Sequence, residues 1–208
     1  MAAALVFYTN PRTRGRIVRW MLEEVGQPYR TEVLDFGPAM KTPAYRAINP
    51  MGKVPALKHG DMVVTETAAI CAYLADAFPQ AGLAPPPTDP LRGAYYRWLF
   101  FAAGPLEQAA VNDMLHVTVP PEHKGMVGYG SLRRVLAVLE QAVTGQDFLV
   151  GGRFSAADVY AGSHIMWGLK TGSLPPRPDF VRYAAGLAAR PAARRAAALD
   201  DASFQTVG

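Results

Sequence analysis

A proline placed second in a short apolar run, Val54-Pro55-Ala56-Leu57, limits what this chain can build more than any other feature. Pro55 has no N–H to give to a ladder, so the run begins a strand or lies at a sheet edge, and X-Pro is the one linkage that readily tolerates cis geometry. Asn49-Pro50 and Gly52 punctuate a loop before it, and His59-Gly60-Asp61 supplies turn chemistry leading into Met62, Val63 and Val64. The stretch from Asn49 to Thr67 therefore reads as loop, strand, tight turn, strand and helix start.

Two features of that stretch point to a ligand. A proline at a strand start turns the N–H and C=O of Val54 outward, where an extended peptide can pair with them as a short added strand. Thr65-Glu66-Thr67 precedes the apolar helical run Ala68 to Phe78 and marks a helix N-terminus, whose N–H groups and positive dipole end attract a carboxylate. Glu66 is placed to hold an ammonium. The pair predicts a grip on peptide backbone at one end and on an amino-acid head group at the other.

Upstream, Leu5 to Tyr8 suits a buried strand. Ile17, Val18, Met21, Leu22 and Val25 share one helical face, with Arg19, Glu23 and Glu24 elsewhere, and Gly26 and Pro28 stop the helix. Tyr29 to Leu34 reads as a second strand, so the chain opens β-α-β. Gly37, Pro38 and Pro43 make the following connection irregular, with a short helix after Thr42.

From Pro79 to Pro90 the chain carries five prolines, which mark a stiff linker. Beyond it only helices are expected. One runs from the Asp89-Pro90 cap through Phe101 and past Gly104-Pro105 to about Leu115, a loop or broken helix spans Val117 to Gly130, and Ser131 to Val143 is strongly periodic. Ser155 and Asp158 form a capping box, with Phe154 and Val159 as a hydrophobic staple. Helices at Pro178 to Ala188 and Pro191 to Leu199 close the chain.

Charge and cysteine content exclude several classes. Twenty-one basic and 17 acidic side chains give a net charge of +4, with no basic stripe interleaved with aromatics, so nucleic acid is not expected as a partner. A single cysteine, Cys71, excludes an intrachain disulfide and a cysteine-rich metal cage, and its place in an apolar helical run makes it a buried hydrophobe. His116 and His164 lack metal-ligand spacing, and no metal is expected. The N-terminus has neither the charged opening nor the long apolar core of a signal peptide, and no apolar run reaches membrane-spanning length, so the expected location is cytoplasmic with no membrane partner.

The segments NPMGKVPAL at 49–57, ETAAI at 66–70 and FSAADVYAG at 154–162 resemble the glutathione transferase family, and the resemblance covers essentially the whole chain. It implies an α/β thioredoxin-like N-terminal domain at 1–79, a linker at 80–89 and an all-α helical-bundle domain at 90–208. It further implies glutathione as co-substrate, with Val54 pairing to the cysteinyl backbone, Pro55 cis, and Glu66 and Thr67 holding the γ-glutamyl end. Many members have serine where this chain has Thr67, and the hydroxyl is kept. The capping box at Ser155 and Asp158 has a folding role in the family. The resemblance also implies a homodimer and a detoxification role, with small hydrophobic electrophiles bound between the domains.

A free thiol, with a pKa near 8.5, is only a few per cent thiolate at neutral pH, so a conjugating enzyme must lower that value. Family members do so with a hydroxyl or thiol near the end of the first strand. Cysteine is absent there, which leaves Tyr8, Thr9, Asn10 and Thr13. Thr13 lies two residues after Pro11, where serine-type branches place their serine, and ranks first; the competing role is that it only caps the first helix. Tyr8 ranks second, where tyrosine-type branches place theirs. Lys53, beside Val54, and Lys41 are candidates for the glycine carboxylate, and Arg14 for the field at the sulfur. The electrophile is expected against Tyr95, Tyr96, Trp98, Phe100 and Phe101, or Met114 and Trp167. Two other readings share the same clamp: a glutathione-binding protein without catalysis, and a glutathione-dependent isomerase or peroxidase.

Overall fold

The computed structural model describes residues 4–206, side chains excepted at 205 and 206. They form two compact units, one of residues 4–83 with 189–206 and the other of Ala84–Ala188. The first unit carries a four-stranded sheet in the order β2-β1-β3-β4, made of β1 (Leu5–Thr9), β2 (Tyr29–Val33), β3 (Ala56–His59) and β4 (Met62–Thr65). β1 runs parallel to β2 and antiparallel to β3, and β3 and β4 form a hairpin.

Helix α1 (Gly15–Val25) and α3 (Thr67–Ala77) pack on each other, α1 also against β1 and α3 against β3. The packing follows from pattern. Alternation buries Leu5, Phe7 and Thr9 along β1, and the helical spacing buries Ile17, Val18, Met21, Leu22 and Val25 along α1. Gly26 closes α1 at φ 70°, a left-handed value that only glycine adopts freely. As expected, a short helix α2 (Pro43–Arg46) follows Thr42, whose hydroxyl oxygen accepts from the Tyr45 N–H at 3.2 Å.

One feature of this unit was not expected. The last helix, α9 (Pro191–Thr206), packs along α1, whereas the sequence assigns everything from 90 onward to the helical domain. Four arginines and four carboxylates join α1 to α9 and the residue just before it: Arg16 with Asp201 at 2.7 Å, Arg19 with Asp200 at 2.6 Å, Glu23 with Arg195 at 3.1 Å and Glu24 with Arg190 at 2.7 Å. Arg19, which the helical spacing places off the apolar face of α1, is consequently buried at 3% exposure with Asp200 at 1%.

The second unit is all-helical among the described residues apart from a single β-bridge between Val150 and Arg153. Helix α4 (Leu91–Phe101) opens on Asp89, whose carboxylate accepts from the Leu91 N–H at 2.8 Å. It passes through a π-helical turn at Ala102–Leu106, where Pro105 interrupts the ladder, into α5 (Glu107–Met114). Helices α6 (Leu132–Val143), α7 (Ala156–Thr171) and α8 (Pro178–Ala188) complete it. Asp158 is fully buried at the start of α7. It accepts from the Ser155 N–H at 2.9 Å, the Ser155 hydroxyl at 3.0 Å, the Leu149 N–H at 2.7 Å and the Tyr183 hydroxyl at 2.7 Å. Burial pushes its carboxyl up, and these four donors pull against that shift. Gly162 lets α8 approach, because a Cβ there would lie 2.2 Å from Leu187.

Candidate functional site

Strand register gathers the candidate residues at one end of the sheet. Ala56 faces Thr65 across the hairpin, so the residues just outside the ladder, Val54-Pro55 on one side and Glu66-Thr67 on the other, emerge together at the end away from the turn. Tyr8 faces Ala56 on the other side of β3, so the end of β1 and the turn after it, Thr9 to Thr13, reach the same edge.

The Val54–Pro55 bond is cis, as expected. Val54 is half-buried, lies outside every strand, and its main chain makes no hydrogen bond among the described residues. The loop before it is held tightly. The Lys53 carbonyl oxygen accepts from the Tyr45 hydroxyl at 2.7 Å and from Asn49 Nδ2 at 2.8 Å, while Asn49 Oδ1 accepts from the Met51 N–H at 3.1 Å. Gly52 sits at φ 56°, where a Cβ would lie 2.6 Å from the Met40 carbonyl oxygen, so no other residue fits. Lys41 Nζ donates to the carbonyl oxygens of Gly52 at 2.8 Å and Met51 at 3.4 Å, and is thereby part of the loop's own framework. Lys53 is exposed, with no side-chain partner among the described residues.

Glu66 stands at φ 67° and ψ 119°, a conformation that costs a non-glycine residue about 1–3 kcal/mol. It occupies the N-cap of α3, yet no side chain there bonds the helix's first N–H groups. Its own carboxylate is exposed and without a partner among the described residues. Thr67 follows as the first residue of α3, 7% exposed, its hydroxyl making no hydrogen bond among the described residues. An open helix N-terminus beside a carboxylate held in a strained backbone can take up a zwitterionic head group, carboxylate to the helix and ammonium to Glu66.

The turn after β1 divides its candidates. Thr9 is wholly buried, its hydroxyl without a partner among the described residues and lodged where a Cβ on Gly15 would come within 2.0 Å. Asn10 is 1% exposed and spends its amide internally, Nδ2 donating to the Leu34 carbonyl oxygen at 2.9 Å and Oδ1 accepting from the Arg12 N–H at 3.0 Å. Neither side chain is presented to a ligand. Thr13 is half-buried; its hydroxyl donates to the Asn10 carbonyl oxygen at 2.7 Å and accepts from the Gly15 N–H at 3.0 Å. Tyr8 is half-buried, its ring 5.7 Å from that of Tyr45. Burial, with a smaller contribution from Tyr8, pushes the Tyr45 hydroxyl up to about 12, so it stays a donor to Lys53 at any ordinary pH.

Tyr45 and Asn49 are the residues sequence reasoning passed over. Asn49 carried a signal as part of an Asn-Pro turn, but nothing local in Pro43–Arg46 announces that Tyr45 reaches a carbonyl eight residues on. The described residues contain no group of three or more His, Cys, Asp or Glu side chains arranged to hold a metal ion.

With this geometry in view, residues 14–77 match the family model described as the N-terminal domain of glutathione S-transferase, and residues 126–191 match its C-terminal domain. The chain is 34% identical over 164 residues to maleylacetoacetate isomerase of Pseudomonas aeruginosa, covering 75% of this chain and 76% of that one. It is 32% identical over 124 residues to glutathione S-transferase GstA of Escherichia coli O157:H7, covering 59% of this chain and 61% of that one. Among solved structures, a glutathione transferase from Methylococcus capsulatus superposes with a TM-score of 0.79 at 28% identity, over 95% of this chain and 99% of that one. A sphingomonad glutathione S-transferase complexed with glutathione gives 0.76 at 28% identity, over 94% and 98%.

Proposed function

The chain belongs to the glutathione S-transferase family, and from that premise we propose that it binds glutathione at this sheet end and transfers the thiolate to a small hydrophobic electrophile. One observation carries the reading: an unpaired Val54 main chain and an uncapped, strained helix start at Glu66 emerge side by side from one end of the hairpin.

Val54 pairs with the cysteinyl backbone through its N–H and C=O. Glu66 takes the γ-glutamyl ammonium, and Thr67 with the first N–H groups of α3 takes the carboxylate. Lys53, exposed and uncommitted, takes the glycine carboxylate, with Lys41 supporting the loop beneath it.

The sulfur then lies by the turn after β1. Thr13 is the first choice as donor, its O–H leaving the Asn10 carbonyl oxygen to stabilise the thiolate while the Gly15 N–H keeps the oxygen in place. Tyr8 is the second choice. The N–H groups at the start of α1 add to the stabilisation. The thiolate forms the new C–S bond, and the leaving group departs with the bonding electron pair. Cys71 takes no part, since it is buried and burial pushes its thiol up. The same reading carries a homodimer, which light scattering tests, and a cytoplasmic setting, which the lone cysteine supports.

Ultraviolet absorbance of bound glutathione against pH is the test. An apparent thiol pKa well below 8.5, moved back up in Thr13→Ala and unchanged in Tyr8→Phe, supports the assignment. Binding with no shift leaves a glutathione-binding protein without this catalysis, and a shift lost only in Tyr8→Phe gives the role to Tyr8. A second reading, a glutathione-dependent isomerase, is favoured by the similarity to maleylacetoacetate isomerase. It requires turnover in which substrate and product have equal mass and glutathione is not consumed.

A further inference from the structure

Resting on the glutathione-binding reading, we propose that Tyr45 and Asn49 are positioning residues that aim the Val54 N–H at the cysteinyl carbonyl of glutathione, although neither touches the ligand.

The Lys53 carbonyl and the Val54 N–H belong to one peptide unit, which is trans, since the Val54–Pro55 bond is the cis bond found among the described residues. In a trans unit the C=O and N–H point in opposite directions and cannot be turned independently. Whatever grips the Lys53 oxygen therefore sets the direction of the Val54 N–H. Two side-chain donors grip it, the Tyr45 hydroxyl at 2.7 Å and Asn49 Nδ2 at 2.8 Å. With both lone pairs of that oxygen engaged, the plane has no freedom to rotate about its long axis.

Both donors are anchored. Asn49 is 4% exposed and its other amide atom accepts from the Met51 N–H. Tyr45 is 5% exposed, is fixed at its backbone by the Thr42 cap, and rests its ring against Tyr8. The preceding carbonyl, Gly52, is held in turn by Lys41 at 2.8 Å. Three side chains from the irregular segment thus hold two successive carbonyls immediately before Val54, whose main chain is left open among the described residues. A strand-pairing site needs its donor aimed before the ligand arrives, because ordering it on binding would cost affinity.

The experiment compares glutathione with γ-glutamylcysteamine, which lacks the cysteinyl carbonyl and the glycine beyond it, in calorimetric titrations of the unaltered protein and of Tyr45→Phe, each repeated in a Lys53→Ala background that removes the partner of the glycine carboxylate. The tyrosine substitution keeps the buried ring and removes only the hydroxyl. In either background Tyr45→Phe is expected to weaken glutathione about tenfold and γ-glutamylcysteamine less than twofold, and to raise the KM for glutathione with kcat unchanged. Asn49→Asp, which keeps the acceptor for Met51 and loses the donor to Lys53, should show the same ligand dependence. Equal weakening of both ligands would mean a merely structural role, and unchanged glutathione affinity would mean no role; either overturns the proposal. Failure of the unaltered protein to bind glutathione at all would overturn the reading on which it rests.

Discussion

Glu66→Gly should make the protein at least as stable and markedly worse at binding glutathione. The residue sits at φ 67° and ψ 119°, and its carboxylate has no partner among the described residues that would offset the strain. Relieving that backbone returns about 1–3 kcal/mol, while the greater freedom of glycine in the unfolded chain takes back about 0.5–1 kcal/mol. The net change is a gain of roughly 0–2.5 kcal/mol. The same substitution removes a charge-assisted hydrogen bond to the ligand ammonium, about 1.5–3 kcal/mol, which corresponds to roughly 10- to 150-fold in Kd. Urea denaturation midpoints and calorimetric titration measure the two quantities on the same sample. Glu66→Gln separates them, since it keeps the strained backbone and loses only the charge: affinity should fall with no gain in stability. A Glu66→Gly protein less stable by more than about 1 kcal/mol would show that the side chain supports the fold, and one with unchanged glutathione affinity would remove Glu66 from the site.

The ion pair between α1 and α9 should be costly to break and cheap to replace. Asp200→Ala leaves Arg19 buried without its carboxylate and should cost about 3–5 kcal/mol in denaturant melts, whereas the double variant Arg19→Met with Asp200→Leu should fall close to the parent. Alkaline stability provides a pH test. Burial pushes both Tyr29 and Tyr45 up to about 12, against about 10 in the unfolded chain, so below pH 10 both are protonated in both states and their contribution is intact. Between pH 10 and 12 the unfolded chain loses these protons first, and stability should fall as pH rises. Urea midpoints at pH 9, 10 and 11 should show that fall, with a shallower slope in Tyr45→Phe; equal slopes would refute it.

Much of this molecule was legible because its signals are short-range. Gly26 closes α1, Thr42 caps α2, and Asp158 reaches back to the Ser155 N–H, each through groups within four residues of one another. Pro55 and the Glu66-Thr67 pair were equally readable, since a missing N–H and a helix start are properties of the residues themselves. The π-helical turn at Ala102–Leu106 was not readable: the pattern carries one helix past Gly104-Pro105 to about Leu115, and the structure interrupts its ladder at Pro105.

What the chain alone could not disclose are contacts whose partners lie far along it. Arg19 has the spacing of a surface residue until α9 returns with Asp200, 181 positions away, and makes its burial tolerable. Thr13 has the position of a thiol donor, but its proton goes to the Asn10 carbonyl, an allegiance set by how the turn folds over β1. Tyr45 looks like any aromatic on a short helix until the loop brings the Lys53 carbonyl to its hydroxyl. Composition and local pattern determined which segments are strands, helices and caps, because those depend on neighbours a turn or two away. Only the tertiary structure decided which polar atoms are already spent and which remain open to a ligand, because every hydrogen bond is a competition that the nearest folded partner wins.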